Sequence, residues 1–181
     1  IYSQFPQIKK GTVSIEGERM NNTCIFSDVI IATDTIRIYN IHLASNWFDK
    51  SDLAFIESPE ISKDAIKKGV LSIAKRLKTS FKKRALQVGV IKKHMQSAPY
   101  PLVVCGDFND TPNSFSYQKI ASGLNDSFLE KGSGFGSTFL GKIPFLRIDY
   151  ILHSPNVKIQ SFTTHKAKLS DHKAIESSLA M

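Results

Sequence analysis

The sequence predicts a layered α/β protein, and three observations carry that reading. Stretches rich in Ile and Val, strand-like in character, dominate both ends of the chain. One long helical stretch, Lys63 to Gln96, fills the middle. A helix with an apolar stripe must bury it, and here it must cover a sheet. The 181 residues suit one domain, residues 1–181, with a real core.

In chain order, Tyr2 to Ile8 is short and extended, broken by Pro6. Thr12 to Ile15 reads as a weak strand ending in a turn at Glu16-Gly17. Thr23 to Ala32 and Thr35 to Ala44 are separated by Thr33-Asp34 and predict a β-hairpin. Asn46 to Ser62, with Trp47, Phe48 and Pro59, reads as irregular. Lys63 to Gln96 is helical, as two helices or one bent helix, with Thr79-Ser80 the weak point. Ala98-Pro99-Tyr100-Pro101 stops it and leads into the strand Leu102 to Cys105. Ser114 to Ser122 predicts a short helix, and Gly132 to Gly136 a flexible loop. Ile148 to His153, Lys158 to His165 and Lys173 to Leu179 predict strands.

A hydrophobic content of 41% and a charged content of 22% are ordinary for a globular protein. No apolar run is long enough to span a membrane, and no signal peptide is visible. The chain opens on Ile1 rather than Met, so the expectation is that the natural start, with any targeting or envelope-attachment segment, lies upstream. Cys24 and Cys105 sit in apolar runs and read as core thiols in a reducing compartment, with a disulfide between them left open. The formal charge of +8 favours a polyanionic partner: nucleic acid, a phosphorylated small molecule or an anionic lipid surface. Much of it lies between Lys63 and Lys93, where a solvated helix face is the competing explanation.

The chemistry centres on Gly106-Asp107-Phe108-Asn109-Asp110. Residues two apart on an extended chain point the same way, so Asp107 and Asn109 aim at one spot. Gly106 permits a sharp turn and a close approach. A carboxylate beside a carboxamide suits metal-assisted attack on phosphorus, the acid holding a water or an ion and the amide donating to a phosphoryl oxygen. An ordinary turn after a strand is the plainer alternative. From Thr35 to Ala44 the even positions run Ile36, Ile38, Asn40, His42, so one face turns from apolar to polar. Asn40 and His42 then point together, with His42 able to donate to a phosphate, or simply a histidine at a sheet end.

Asp149 lies in the apolar stretch Arg147-Ile148-Asp149-Tyr150-Ile151-Leu152, where a carboxylate is costly unless paired. A histidine or a cation is the expected partner, Arg147 being the local alternative. His172, in Ser170-Asp171-His172, is the natural proton carrier near neutral pH. Neighbouring residues of an extended chain face opposite ways, so Asp171 is poorly placed to hold its ring. The distant Asp149 is the better candidate, and Asp171 is left for a metal or the attacking water.

These four motifs, Asn40-Ile41-His42-Leu43, Gly106-Asp107-Phe108-Asn109, Arg147-Ile148-Asp149-Tyr150 and Ser170-Asp171-His172, together resemble the endonuclease/exonuclease/phosphatase superfamily, in its order. The resemblance implies a four-layer α/β/β/α sandwich and hydrolysis of a phosphate ester dependent on Mg²⁺ or Mn²⁺. It assigns His172 paired to Asp149, Asp107 and Asn109 to water and phosphate, Asp171 and Asp107 to the metal, and Asn40 and His42 to the phosphate. The implied substrates are nucleic acids, phospholipid headgroups or small phosphate esters; the competing class is a catalytically silent binding module. The family's N-terminal glutamate and early asparagine have no counterpart here, Glu16 and Glu18 lying in the wrong context. The chain is therefore expected to be the C-terminal part of a longer protein, weakly active alone, with one sheet incomplete and a tendency to self-associate. Arg84 shares a helix face with Val88, Ile91 and Met95 and is expected to pair with an acid.

Overall fold

The N-terminal strands and the first of the C-terminal ones meet in one mixed sheet. A computed structural model describes residues 1–15, 24–46, 50–57, 62–141, 143, 145–167 and 169–180. In chain order the strands are β1 (Gln7–Thr12), β2 (Cys24–Ile31), β3 (Asp34–His42), β4 (Leu102–Asp107), β5 (Asn125–Asp126), β6 (Asp149–His153), β7 (Lys158–Thr164) and β8 (Ile175–Ala180). The helices are α1 (Lys50–Glu57), α2 (Lys63–Gln96), α3 (Phe115–Ala121) and α4 (Ser127–Lys131). The larger sheet has the order β1-β2-β3-β4-β6-β5, and β7 and β8 form a separate pair. β3 and β4 are parallel, so the chain between them must cross over, and α1 and α2 make that crossing.

Alternation along the central strands gives the large sheet two apolar faces. Tyr39, Ile41, Val104, Tyr150 and Leu152 point one way and pack against Val88, Ile91 and Met95 of α2 and Tyr117 and Ile120 of α3. Ile36, Ile38, Val103 and Ile151 point the other way, with Leu179 of β8 packed among them. The layers therefore run helices, large sheet, small sheet. These are three of the four layers of the expected sandwich, and the second sheet has two strands among the described residues.

Several boundaries differ from the sequence reading, each for a tertiary reason. The first strand is Gln7–Thr12, between the two stretches expected to be extended. Its polar residues carry no strand pattern, and its pairing comes from β2. The hairpin turns at Ala32-Thr33, one residue earlier than Thr33-Asp34, with Ala32 in the left-handed region at φ 54°. Part of the stretch expected to be irregular is α1. Its Asp52, 2% exposed, accepts a hydrogen bond from Ser72 Oγ at 2.7 Å and pairs with Arg76, tying the short helix to α2. α2 runs uninterrupted through Thr79-Ser80. Thr79 Oγ1 donates back to the Lys75 carbonyl without interrupting the helix, and Ser80 Oγ donates to the Ser45 carbonyl, which docks it. β5 and α4 carry too little pattern to be seen in sequence; Asp126 caps α4 by accepting from Phe128 N. The expected turn at Glu16-Gly17, the residues Glu18, Trp47, Phe48 and Pro59, and the start of the first hairpin strand at Thr23 lie outside the described residues. Cys24 and Cys105 are both free thiols.

Candidate active site

The site is a consequence of strand register. His42 at the end of β3 is the Cα partner of Asp107 at the end of β4, and Asp107 is the partner of Asp149 at the start of β6. Partners across a ladder share a face, so the three side chains form one row at the sheet's end. They stand on the face that carries Ile38, Val103 and Ile151 further down, beside the small sheet. Gly106 makes the row possible. It has φ +136°, and a Cβ there would lie 2.0 Å from the Ile41 carbonyl oxygen.

His172 completes the row from the loop before β8. Its Nδ1 lies 2.8 Å from Asp149 Oδ2, so the carboxylate accepts the Nδ1–H and leaves Nε2 facing Asp107. Nε2 is 4.0 Å from Asp107 Oδ2, too far for a direct hydrogen bond. His42 Nε2 approaches the same Asp107 oxygen at 3.6 Å. Burial lowers the proton affinity of His172, but the hydrogen bond and charge of Asp149, aided by Asp107 and Asp171, outweigh it and hold the ring above the ordinary histidine range. Burial pushes the Asp107 carboxyl up and Asp149 adds to this, against the Asn109 N–H and the two histidines.

Asn109 follows Asp107 in the left-handed region at φ 51°, a conformation Asn tolerates. Its backbone N–H donates to Asp107 Oδ1 at 2.7 Å. Its Nδ2 donates to Asp107 Oδ2 at 2.9 Å and to the Leu43 carbonyl at 3.0 Å. Both amide hydrogens are therefore used within the protein rather than left for a phosphoryl oxygen. Between them, Phe108 turns inward and is fully buried against Tyr150.

Asn40 lies one row below, paired with Cys105, and is exposed; it is not among the residues lining the cleft at the site. Asp171 is exposed at the cleft's edge, its carbonyl accepting from Leu140 N. Arg147 does not pair with Asp149. It binds Asp126 at 2.7 Å and lies over the rings of Phe128 and Tyr150.

One residue outside the sequence reading joins the two halves of the histidine–carboxylate pair. Thr138 is 1% exposed, and its Oγ1 accepts from the backbone N–H groups of Ile148 and Asp149. Its carbonyl accepts from Lys173 N, and the next residue, Phe139, bridges to His172. Thr138 thus fixes the separation of the segments carrying Asp149 and His172. A lone threonine after a glycine-rich loop gives little signal; only the strand-like Ser137-Thr138-Phe139 marks it.

Arg84 supports the site from behind. It is fully buried, and its Nε donates to Asp110 Oδ2 at 2.9 Å. Its Nη1 donates to the Ala44 carbonyl and to Asn46 Oδ1. It thus ties α2 to the segments following both β3 and β4. Burial lowers its pKa, against Asp110. Removing one member of a buried pair leaves an uncompensated charge, so Arg84→Met is expected to cost about 3–5 kcal/mol of stability. Urea unfolding of wild type and variant measures this, and an unchanged midpoint would show that the pair contributes nothing net.

Asp107, Asp149 and His172 each offer a ligand atom, all within 4.8 Å of one another. Two crowded carboxylates form a hard, anionic oxygen set, which fits a divalent cation such as Mg²⁺ or Mn²⁺. Asp171 lies outside this trio.

Residues 78–172 match the model of the endonuclease/exonuclease/phosphatase family. No curated protein matches the sequence significantly. Among solved structures, a mannosyl-6-phosphatase from Bacteroides thetaiotaomicron is similar at 17% identity and TM-score 0.63, over 98% of this chain and 67% of that one. The human Nocturnin catalytic domain is similar at 18% identity and TM-score 0.57, over 96% and 60%. D. rerio TDP2 complexed with a single-strand DNA product is similar at 14% identity and TM-score 0.61, over 97% and 68%. At such identities these are likenesses of fold, and this chain spans 60 to 68% of those three chains.

Proposed function

The chain belongs to the endonuclease/exonuclease/phosphatase family, and on that premise we propose that it carries the catalytic row of a metal-dependent phosphoesterase. The single observation behind this is the Asp149–His172–Asp107 alignment: a histidine oriented by one carboxylate and facing another across a gap of 4.0 Å. A binding module has no need of a proton carrier held in one tautomer.

In hydrolysis a water oxygen forms a bond to phosphorus, the ester P–O bond breaks, and the alcohol leaves with a proton. His172 moves protons at Nε2, while Asp149 keeps Nδ1 protonated and stabilises the charged ring. Asp107 orients the attacking water and is itself held by both N–H groups of Asn109. His42 contacts a phosphoryl oxygen from the neighbouring strand. Asp107 and Asp149 would hold the cation, with Asp171 at the cleft edge adding a further carboxylate. The cation's contribution when bound is to neutralise charge on the phosphoryl oxygens.

The test is hydrolysis of bis(p-nitrophenyl) phosphate by the full-length protein with Mg²⁺ or Mn²⁺. Turnover is expected, with loss on chelation by EDTA and recovery on re-addition of metal. Undiminished turnover in EDTA would remove the metal from the reaction, and no turnover with any divalent ion would remove the activity. Residues 1–181 alone are expected to be weakly active, since the resemblance finds no counterpart in them of the family's N-terminal glutamate.

A further inference from the structure

We propose that this site takes phosphate esters of an apolar alcohol, alkyl or aryl, seated along a wall built by α2. The inference rests on the phosphoesterase reading above and names its substrate class. The catalytic row opens into a cleft of about 850 Å³. Its lining includes His42, Asp107, Asn109 and His172. Ile73, Leu77 and Phe81 of α2 line it too, with Phe139, Leu146 and Ile148, and so do polar residues such as Asp110 and Thr111.

The sequence of α2 explains the wall. Ile73, Leu77 and Phe81 are spaced by four, so they make one stripe on the helix. The core of the large sheet is packed by a different part of the helix, Val88, Ile91 and Met95. The earlier stripe is thus free of the core; Ile73 and Leu77 are half-buried and Phe81 is 47% exposed. An apolar surface at a catalytic centre stabilises what lies on it only if that group is itself apolar.

Charge points the same way. Among the described residues the cleft's ionisable groups are the carboxylates of Asp107, Asp110 and Asp171 and two histidines, His42 and His172. The nearest arginines of the core are spent, Arg84 on Asp110 and Arg147 on Asp126. Of the basic residues of α2, Lys75, Arg76 and Lys83 line an adjoining hollow that shares Ser45 with the cleft. A cleft that tracks a nucleic-acid backbone is lined with cations. This one offers a single phosphoryl group the catalytic row, and an uncharged, water-avoiding substituent the apolar stripe of α2.

The experiment compares methyl, butyl and octyl phosphate as ligands of the full-length protein by isothermal titration in Mg²⁺, with Leu77→Ser and Ile73→Ser alongside. Burying a methylene is worth up to roughly fourfold in affinity, so octyl phosphate is expected to bind at least about tenfold more tightly than methyl phosphate. Each variant is expected to shrink that octyl-to-methyl ratio. Equal affinities along the series, or a ratio untouched in both variants, would overturn the proposal. A single-stranded oligonucleotide that displaces octyl phosphate and binds more tightly would also overturn it, in favour of nucleic acid. Hydrolysis separates this from the broader reading. If p-nitrophenyl esters of methyl and octyl phosphate are cleaved equally well, the phosphoesterase stands and the apolar preference falls. If chain length tightens binding but neither ester is cleaved, the activity falls and the apolar cleft stands.

Discussion

His172→Ala is expected to lower turnover of a phosphodiester by about 10²–10⁴-fold, the usual worth of a positioned acid or base. The ring is held on one side by Asp149 at 2.8 Å and turns its free nitrogen to Asp107. It sits in the loop before β8, partly exposed, and edge-on to Phe139. Removing it therefore takes away the proton carrier without opening the core, and the variant should unfold near the wild-type midpoint. Steady-state kinetics with a circular-dichroism melt reads both quantities. Near wild-type kcat in a folded variant would exclude His172 from the reaction.

Asp149→Asn is expected to be nearly as costly, because Asp149 orients the ring and would also hold the cation. The substitution keeps shape and removes charge, so the Nδ1–H loses its anionic acceptor and the charged ring its stabiliser. The pH profile separates this from mere structural damage. Asp149 supplies the leading contributions that raise His172, opposed by burial, which lowers it. A ring raised in proton affinity changes charge at higher pH than an ordinary histidine. With Asp149 neutralised, burial is left to dominate, and the ring should titrate at lower pH. The histidine limb of kcat/KM must then move down in pH, whether the neutral ring takes a proton or the charged ring gives one. A limb that stays in place, at an unchanged rate, would break the link between the two residues.

Strand parity carried the sequence a long way, because side-chain direction on a strand is fixed by geometry alone. It turned Asp171 away from the ring of His172 and pointed to Asp149, and the ring nitrogen lies 2.8 Å from that carboxylate. Periodicity on α2 likewise put Arg84 on the face of Val88, Ile91 and Met95, all buried together. What could not be read were contacts between segments distant in sequence. Thr138 joins Asp149 to His172 through backbone groups, and backbone groups have no sequence signature. α1 depends on Asp52 meeting Ser72 and Arg76. The inward turn of Asn109's amide hydrogens depends on the Leu43 carbonyl, placed by another strand. The apolar stripe Ile73, Leu77, Phe81 is visible as a pattern, but only the position of α2 beside His42, Asp107 and His172 shows that it lines a cleft.

The row of His42, Asp107 and Asp149 also depends on long-range pairing when the chain folds. None of its members is a sequence neighbour of another, and His172 arrives from near the far end. Each approach closes a long loop, which costs entropy before any contact rewards it. α2 can coil from local interactions early, but the row exists only after β3 has paired with β4 and β4 with β6. A chain caught part-way carries helix without chemistry. His172 thus meets its carboxylates only in a chain whose central sheet is already closed.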